Sequence, residues 1–207
     1  MAPYLESVRS FADVPITDAG VDTVAFLEAA QGLVGLFGDA DLLGSAAFSV
    51  VQSDLKSNIA KVRARYDAAT AVSATLEQLV ENEKGEKKRT ATEGLLWLLR
   101  GLSFTCKALQ NSQANKSEEL AAAFNKSYEG TLKQFHNFVV KGIFSVAMKA
   151  CPYRNDFYTK LAADPAGGPP ATQEKLDEEL NKWLAALAAI VARMEEFYEK
   201  GGHGKGF

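Results

Sequence analysis

Residues 94–104 read GLLWLLRGLSF, and this segment constrains the chain more than any other. As a helix it is apolar nearly all round, and such a helix has to be buried. Burial needs a core, and 207 residues with 47% hydrophobic content suit one large domain with a sizeable one. The rest of the chain reads helical as well. Nearly every periodic segment repeats at 3.6 residues, and no run alternates in the manner of a strand. An all-α fold of about seven or eight helices is expected.

The expected helices can be placed. Residues 24–37 turn Phe26, Leu27, Ala30, Val34 and Phe37 inward, and residues 45–67 form a second helix. A third covers 71–84, with Val72, Leu76, Leu79 and Val80 inward, before the solvated turn EKGEKKRT. Residues 90–110 form the fourth. The fifth starts near Asn115, where NKSE has capping-box spacing, and runs to about 150, bent or split at Gly130 or Gly142. Its core stripe reads Leu132, Phe135, Val139 and Ile143. A short helix follows in NDFYTKLAA, then the loop DPAGGPP. The last helix covers 173–200, with Leu176, Leu180, Trp183, Leu187, Ile190, Met194 and Phe197 on one side. A flexible tail, about 201–207, leaves His203 solvated. No internal repeat or second composition regime divides the chain, so residues 1–207 read as one domain.

Composition excludes several functions. The net charge is −3, and no segment is dense enough in Lys and Arg to mark a nucleic-acid partner. The longest apolar run, WLAALAAIVA at 183–192, is ten residues, about half a membrane span. The amino terminus lacks the pattern of a secretion signal, so a cytoplasmic location is expected. Cys106 and Cys151 read as reduced thiols, and no Cys/His cluster suggests a metal or cofactor.

Three places carry polar groups beside apolar faces. In SDLKSNIAKVRARYD (53–67) the stripe Leu55, Ile59, Val62 and Tyr66 is flanked by Asp54, Asn58, Lys61 and Arg65. Asp54, Asn58 and Lys61 fall within about 40° of one another around a helix. Arg100 lies inside the buried segment, three residues after Trp97, and needs a carboxylate such as Asp54 or an anionic ligand. His136 borders the fifth helix's core stripe. A hydrolase would pair His136 with Asp54, but Ser57, Ser103 and Cys151 sit in no nucleophile motif. A carboxylate, an amide, an ammonium and an aromatic face instead suit a sugar, set against a core that suits hydrocarbon chains. A core position for Trp97 and a boundary histidine remain the simpler alternatives.

DLKSNIAK (54–61), WLLRGL (97–102), FHNFVVKGIF (135–144) and ACPYRNDF (150–157) resemble the glycolipid transfer proteins, in the family's order and roughly its spacing. The likeness covers nearly the whole chain and is nearest to fungal heterokaryon-incompatibility (het-c type) members. It implies a two-layer all-helical fold holding one glycosphingolipid, such as galactosylceramide, glucosylceramide or lactosylceramide. Asp54, Asn58 and Lys61 would hydrogen-bond the first sugar, and Trp97 would stack under it. His136 with Asp54 would bind the ceramide amide, with Arg100 in support. Read from the apolar pattern of this chain, Phe37, Leu96, Phe104, Leu132, Phe144 and Val146 are the candidate walls of the chain pocket.

The resemblance also implies a mode of action. Transfer would be non-enzymatic, without cofactor or metal, by a monomer docking transiently at the cytosolic face of membranes. Phe138 stands where animal relatives place a membrane-facing Trp, and Lys141, Lys149 and Arg154 would join it at that surface. Trp97 stands where ceramide-1-phosphate carriers place a cation, which favours a sugar. Residues 36–44, LFGDADLLG, lack the animal Phe-Phe receptor motif, so that partner is not implied. Ceramide-1-phosphate transfer, glycolipid sensing in fungal cell-fate signalling, and an enzyme using His136 and Asp54 stay as alternatives.

Overall fold

The computed structural model describes residues 3–38, 42–44, 46–164, 166–204 and 206, with the side chain of Pro3 outside the description. Nine α-helices carry the fold among them: α1 (Pro3–Ser7), α2 (Thr23–Gly38), α3 (Ser49–Ala68), α4 (Leu76–Asn82), α5 (Thr90–Ala114), α6 (Leu120–Gly130), α7 (Phe138–Lys149), α8 (Arg154–Ala162) and α9 (Gln173–Gly201). One feature departs from an all-helical reading. A hairpin pairs β1 (Ile16–Thr17) antiparallel with β2 (Gly20–Val21), too short for any periodic pattern to announce.

Helix α5 is the spine. Helices α3, α4, α6 and α9 pack against it, α2 packs on α3, and α7 on α6. Leu95, Leu98, Leu99, Leu102 and Phe104 are fully buried, as an all-round apolar helix must be. The amino end of α5 is held by the buried Glu83. Its carboxylate accepts from the Ala91 N–H (3.1 Å), the Thr92 N–H (2.7 Å) and the Thr92 hydroxyl (2.8 Å). That satisfies donors a helix start leaves open.

Where α5 meets α3, two glycines set the separation. A Cβ on Gly101 would stand 2.7 Å from Leu55 Cδ2, and one on Gly94 would stand 3.0 Å from Lys61 Cβ. A side chain at either position would force Leu55 or Lys61 to shift.

The inward residues expected on α2 are buried, as are those on α9 apart from the half-buried Phe197. Other expectations are corrected. The third segment is a turn at Thr70–Val72 and then α4, whose cap Thr75 forms a box with Gln78; Val72 is 49% exposed. NKSE does not start a helix. Asn115 Oδ1 accepts from Ser117, and α6 begins only at Leu120.

The long fifth helix divides after Gly130, while α7 runs through Gly142. Between them lie a turn, Leu132–Phe135, and extended backbone at His136 and Asn137. Asn137 then accepts from the Val140 N–H at 3.0 Å and starts α7 afresh. This resets the helical register. Val139 (68% exposed) and Ile143 (37%) face outward, and Phe144, Ala147 and Met148 take the buried side.

The carboxyl end also folds back. Gly202, at φ +66, closes α9 in the left-handed conformation that glycine adopts without strain. The His203 ring is not solvated. It is 1% exposed, with Nδ1 2.8 Å from Arg89 Nη2 and Nε2 2.8 Å from Glu81 Oε1. The helix start expected at Ser45, and Asp39, Ala40 and Asp41 of the LFGDADLLG stretch, lie outside the described residues.

Candidate functional site

A cavity of about 460 Å³ opens between α3, α5 and the 132–144 segment. From α3 it takes Val50, Val51, Asp54, Leu55, Asn58 and Lys61; from α5, Glu93, Trp97 and Gly101. The broken region contributes Leu132, Phe135, His136, Asn137, Val140 and Phe144. The five residues expected at a head site thus share one cavity, although they come from three separate segments.

The α3 row is wired along its own helix. Lys61 Nζ donates to Asn58 Oδ1 at 2.9 Å, and Asn58 Nδ2 donates to Asp54 Oδ2 at 3.2 Å. Asn58 is buried and fixed by both neighbours, so Asp54 presents an oriented carboxylate. Asp54 reaches solvent at the rim, yet desolvation by its surroundings pushes its carboxyl above the ordinary range. The Lys61 charge and the Asn58 hydrogen bond pull the other way without prevailing.

Aromatic groups build the opposite wall. Trp97 lies nearly parallel to His136, centroids 6.2 Å apart and planes at 14°, and edge-on to Phe135 at 6.3 Å. Burial, with the charges of Lys141 and Arg100 adding, holds the His136 pKa below its ordinary value, so the ring is neutral at neutral pH. Its Nδ1 is 3.1 Å from the Tyr128 hydroxyl. With that hydroxyl donating, Nε2 carries the proton and is an N–H donor.

Arg100 stands behind this wall. Its guanidinium is 3.7 Å from the Phe135 centroid and 4.7 Å from that of Trp97, and Nε donates to the Gly206 carbonyl at 2.9 Å. Asp54, the carboxylate expected for it, is engaged with Asn58 instead.

The chain-pocket expectations divide. Leu132 and Phe144 line the cavity. Phe104 lies deeper, edge-on to Phe124, Tyr128 and Phe144, and Phe37 packs on Phe48. Leu96 is half-buried against Gly204. Val146 is no wall residue, being 62% exposed, because the restarted α7 register turns it outward.

At the surface Phe138 is 90% exposed and shares that side of α7 with Val139, Ile143 and Val146; Tyr153 is 73% exposed nearby in sequence. Lys149 is exposed and Lys141 half-buried. Arg154 is tied inward, stacked at 4.3 Å on Tyr158 and donating to the Ser112 carbonyl at 3.4 Å.

Sequence reasoning misses Glu93, Phe135 and Val140 as cavity residues. A signal for Glu93 exists, since it stands four residues before Trp97 on one helix face. None exists for Phe135 or Val140, whose placement follows from the break at 136–137. Cys151 lies outside the lining and its thiol is pushed up to about 12 by burial, which disarms it as a nucleophile. Among the described residues no group of three or more His, Cys, Asp or Glu could hold a metal, and no helix is long and apolar enough to cross a membrane.

The family model described as glycolipid transfer protein (GLTP) matches residues 21–163. The chain is 46% identical over 189 residues to a glycolipid transfer protein of Aureobasidium melanogenum, covering 91% of this chain and 89% of that one. Its structure superposes on the crystal structure of HET-C2, a fungal glycolipid transfer protein, with a TM-score of 0.85 at 46% identity, covering 95% and 96% of the two chains. A structure of FAPP2, described as selecting simple glycosphingolipids with the GLTP fold, matches with a TM-score of 0.85 at 30% identity over 98% of each chain. The chain spans 38% of the length of the human pleckstrin homology domain-containing family A member 8, to which it is 32% identical over 199 residues and 93% of its own length.

Proposed function

The chain belongs to the glycolipid transfer protein family, and from that premise we propose that it carries one glycosphingolipid at a time between membranes. The observation that supports this reading is the hydrogen-bonded row Lys61–Asn58–Asp54 facing the Trp97 ring across one cavity. A carboxylate fixed from behind by an amide can accept from two neighbouring hydroxyls, and an indole suits the apolar face of a pyranose ring. The Nε2–H of His136 suits the carbonyl of a ceramide amide. No bond is made or broken in this scheme, and direction follows the lipid gradient.

Inward of the head site, Phe104, Phe124, Tyr128 and Phe144 fill the space by edge-to-face and stacked contacts. Close-packed interiors hold no room for two hydrocarbon chains, so this cluster must part to admit them. Helix α7 is placed to couple docking to that parting. One side exposes Phe138, Val139 and Val146, and the other sends Val140 and Phe144 into the cavity. Insertion of the outer side into a membrane interface, helped by Lys149, would bring the cavity to the lipid. Each CH₂ kept out of water saves about 0.8 kcal/mol, which is the barrier a continuous apolar path lowers.

Vesicle-to-vesicle transfer of fluorescent galactosylceramide and ceramide-1-phosphate, run side by side, tests the reading. Galactosylceramide should move and ceramide-1-phosphate should not. Movement of the phosphate lipid alone would replace the sugar reading with an anion site. Trp97→Ala should weaken galactosylceramide binding roughly tenfold through lost stacking, measured as the concentration dependence of transfer. Unchanged affinity would remove Trp97 from the site.

Acid should weaken recognition as well. The acceptor is ionised Asp54, and its raised pKa means protonation starts at a higher pH than for an ordinary carboxylate. Transfer should therefore fall as the pH drops through that elevated carboxylate range. The effect on stability runs the opposite way. The folded state takes up this proton more readily than the unfolded chain, so ionised Asp54 costs stability at neutral pH and the cost vanishes in acid. Asp54→Asn should melt at the same or a higher temperature at pH 7, measured by circular dichroism. An acid loss of transfer that Asp54→Glu leaves unmoved would assign the titration to another group.

A further inference from the structure

Tyr128 sits behind the cavity rather than in its lining, and the packing of its ring does not account for its hydroxyl. It lies on α6, stacked on Phe144 (centroids 5.0 Å apart, planes at 13°) and edge-on to Phe104 at 6.3 Å. Phenyl groups fill the neighbouring places, at Phe104, Phe124 and Phe144. A hydroxyl buried among them costs stability unless it is hydrogen-bonded. Tyr128 is 5% exposed, and among the described residues its hydroxyl has one partner, His136 Nδ1 at 3.1 Å.

That bond decides something that packing leaves open. Trp97 lies nearly parallel to the His136 ring at 6.2 Å, and Phe144 packs on it at 4.6 Å. Contacts with ring faces hold the plane of an imidazole. They do not distinguish its two flips or its two neutral tautomers, whereas a hydrogen bond to one nitrogen does. Burial, with the charges of Lys141 and Arg100, keeps the His136 ring neutral at neutral pH. Burial also pushes the Tyr128 phenol above its ordinary range, so it keeps its proton. Among the described residues that proton finds an acceptor only at Nδ1, and Nε2 then carries the imidazole proton. In the other tautomer Nδ1–H would donate to the phenol, whose own hydrogen would be left unsatisfied, and Nε2 would be an acceptor. Asp54, in the same cavity, is an acceptor already. An amide offers one N–H and one carbonyl, so only the Nε2–H tautomer completes the pair.

We propose that Tyr128 is a positioning residue that fixes the flip and the tautomer of His136 and so prepares it for the carbonyl of a ceramide amide. The proposal rests on the headgroup reading of the cavity. Tyr128 acts through His136, and the stack on Phe144 keeps its ring in line.

The test removes the hydroxyl alone, in Tyr128→Phe. Nitrogen NMR of isotope-labelled protein reads the tautomer directly. The chain has 2 histidines, and His136→Ala identifies the signals of one by their loss. At neutral pH wild type should show an unprotonated Nδ1 and a protonated Nε2 at His136, and Tyr128→Phe should show a mixture of tautomers. Galactosylceramide binding, read by quenching of tryptophan fluorescence, should weaken roughly three- to tenfold in Tyr128→Phe, as expected for one net hydrogen bond. The same change made in the His136→Ala background should weaken binding no further, whereas a merely structural role would weaken it equally in both. A protonated Nδ1 in wild type, or an equal loss in the two backgrounds, overturns the proposal. Unchanged affinity in Tyr128→Phe, with His136→Ala binding weakly, overturns the role of Tyr128 and leaves the head site standing. If His136→Ala binds galactosylceramide as tightly as wild type, the amide role of His136 falls, and this proposal with it.

Discussion

Asp54→Val is expected to abolish glycolipid transfer while leaving the helical circular-dichroism spectrum intact. The loss should be at least about a hundredfold, because two hydrogen bonds to a charged acceptor are each worth about 1.5–3 kcal/mol. Asn58 and Lys61 would lose the carboxylate that orders them, so a neighbouring acceptor does not substitute. The fold should tolerate the change, because Asp54 is exposed at the rim and its side chain holds only the Asn58 amide. Removing a desolvated carboxylate also removes a cost that the folded state bears at neutral pH. Transfer at the wild-type rate would show that the α3 row is not the head site. A collapsed helical signal would show that Asp54 is structural.

Phe138→Asp is expected to separate carrying from docking. Phe138 is 90% exposed and lies outside the cavity lining. The substitution should leave galactosylceramide binding in solution unchanged, read by quenching of tryptophan fluorescence. Vesicle transfer should fall about a hundredfold. Removing a phenyl group from an apolar environment costs about 1.5–3 kcal/mol, and a carboxylate adds a further penalty at an interface. Undiminished transfer by this variant would move the docking surface away from α7. Equal loss of binding and transfer would mean that α7 shapes the cavity rather than the membrane contact.

Much of this molecule is legible in its residue order. The buried character of α5 follows from one all-apolar stretch. The order Asp54, Asn58, Lys61 follows from helical spacing, because partners three and four residues apart meet wherever the helix forms. The resemblance of four ordered motifs points to the family and to the head-site residues. Its finer assignments of sugar, amide and chain are proposals that the Asp54, Trp97 and Phe138 variants address.

The misreadings arise where contacts beyond one helical turn decide the structure. Residues 115–150 have the composition of one helix, but the non-helical backbone at Thr131 (φ −129, ψ −89) and the cap at Asn137 interrupt it. A stripe counted across that interruption assigns Val139 and Ile143 to the core, whereas the restarted register exposes them and buries Phe144. The tail GGHGKGF reads as solvated because its glycines carry no pattern. In the fold, His203 is enclosed by Arg89 and Glu81, more than a hundred residues away in sequence.

What residue order dictates is therefore local: which segments coil, which face of each is apolar, and which polar groups line up along α3. Packing of the whole chain selected what those groups face. Trp97 meets the α3 row because Gly94 and Gly101 let α5 approach closely, and His136 joins them because the chain leaves the α-helix between Gly130 and Phe138. Periodicity reports interactions between residues one turn apart. Cavity walls and the outer side of α7 are set by contacts between distant segments, which no local pattern encodes and only close packing fixes.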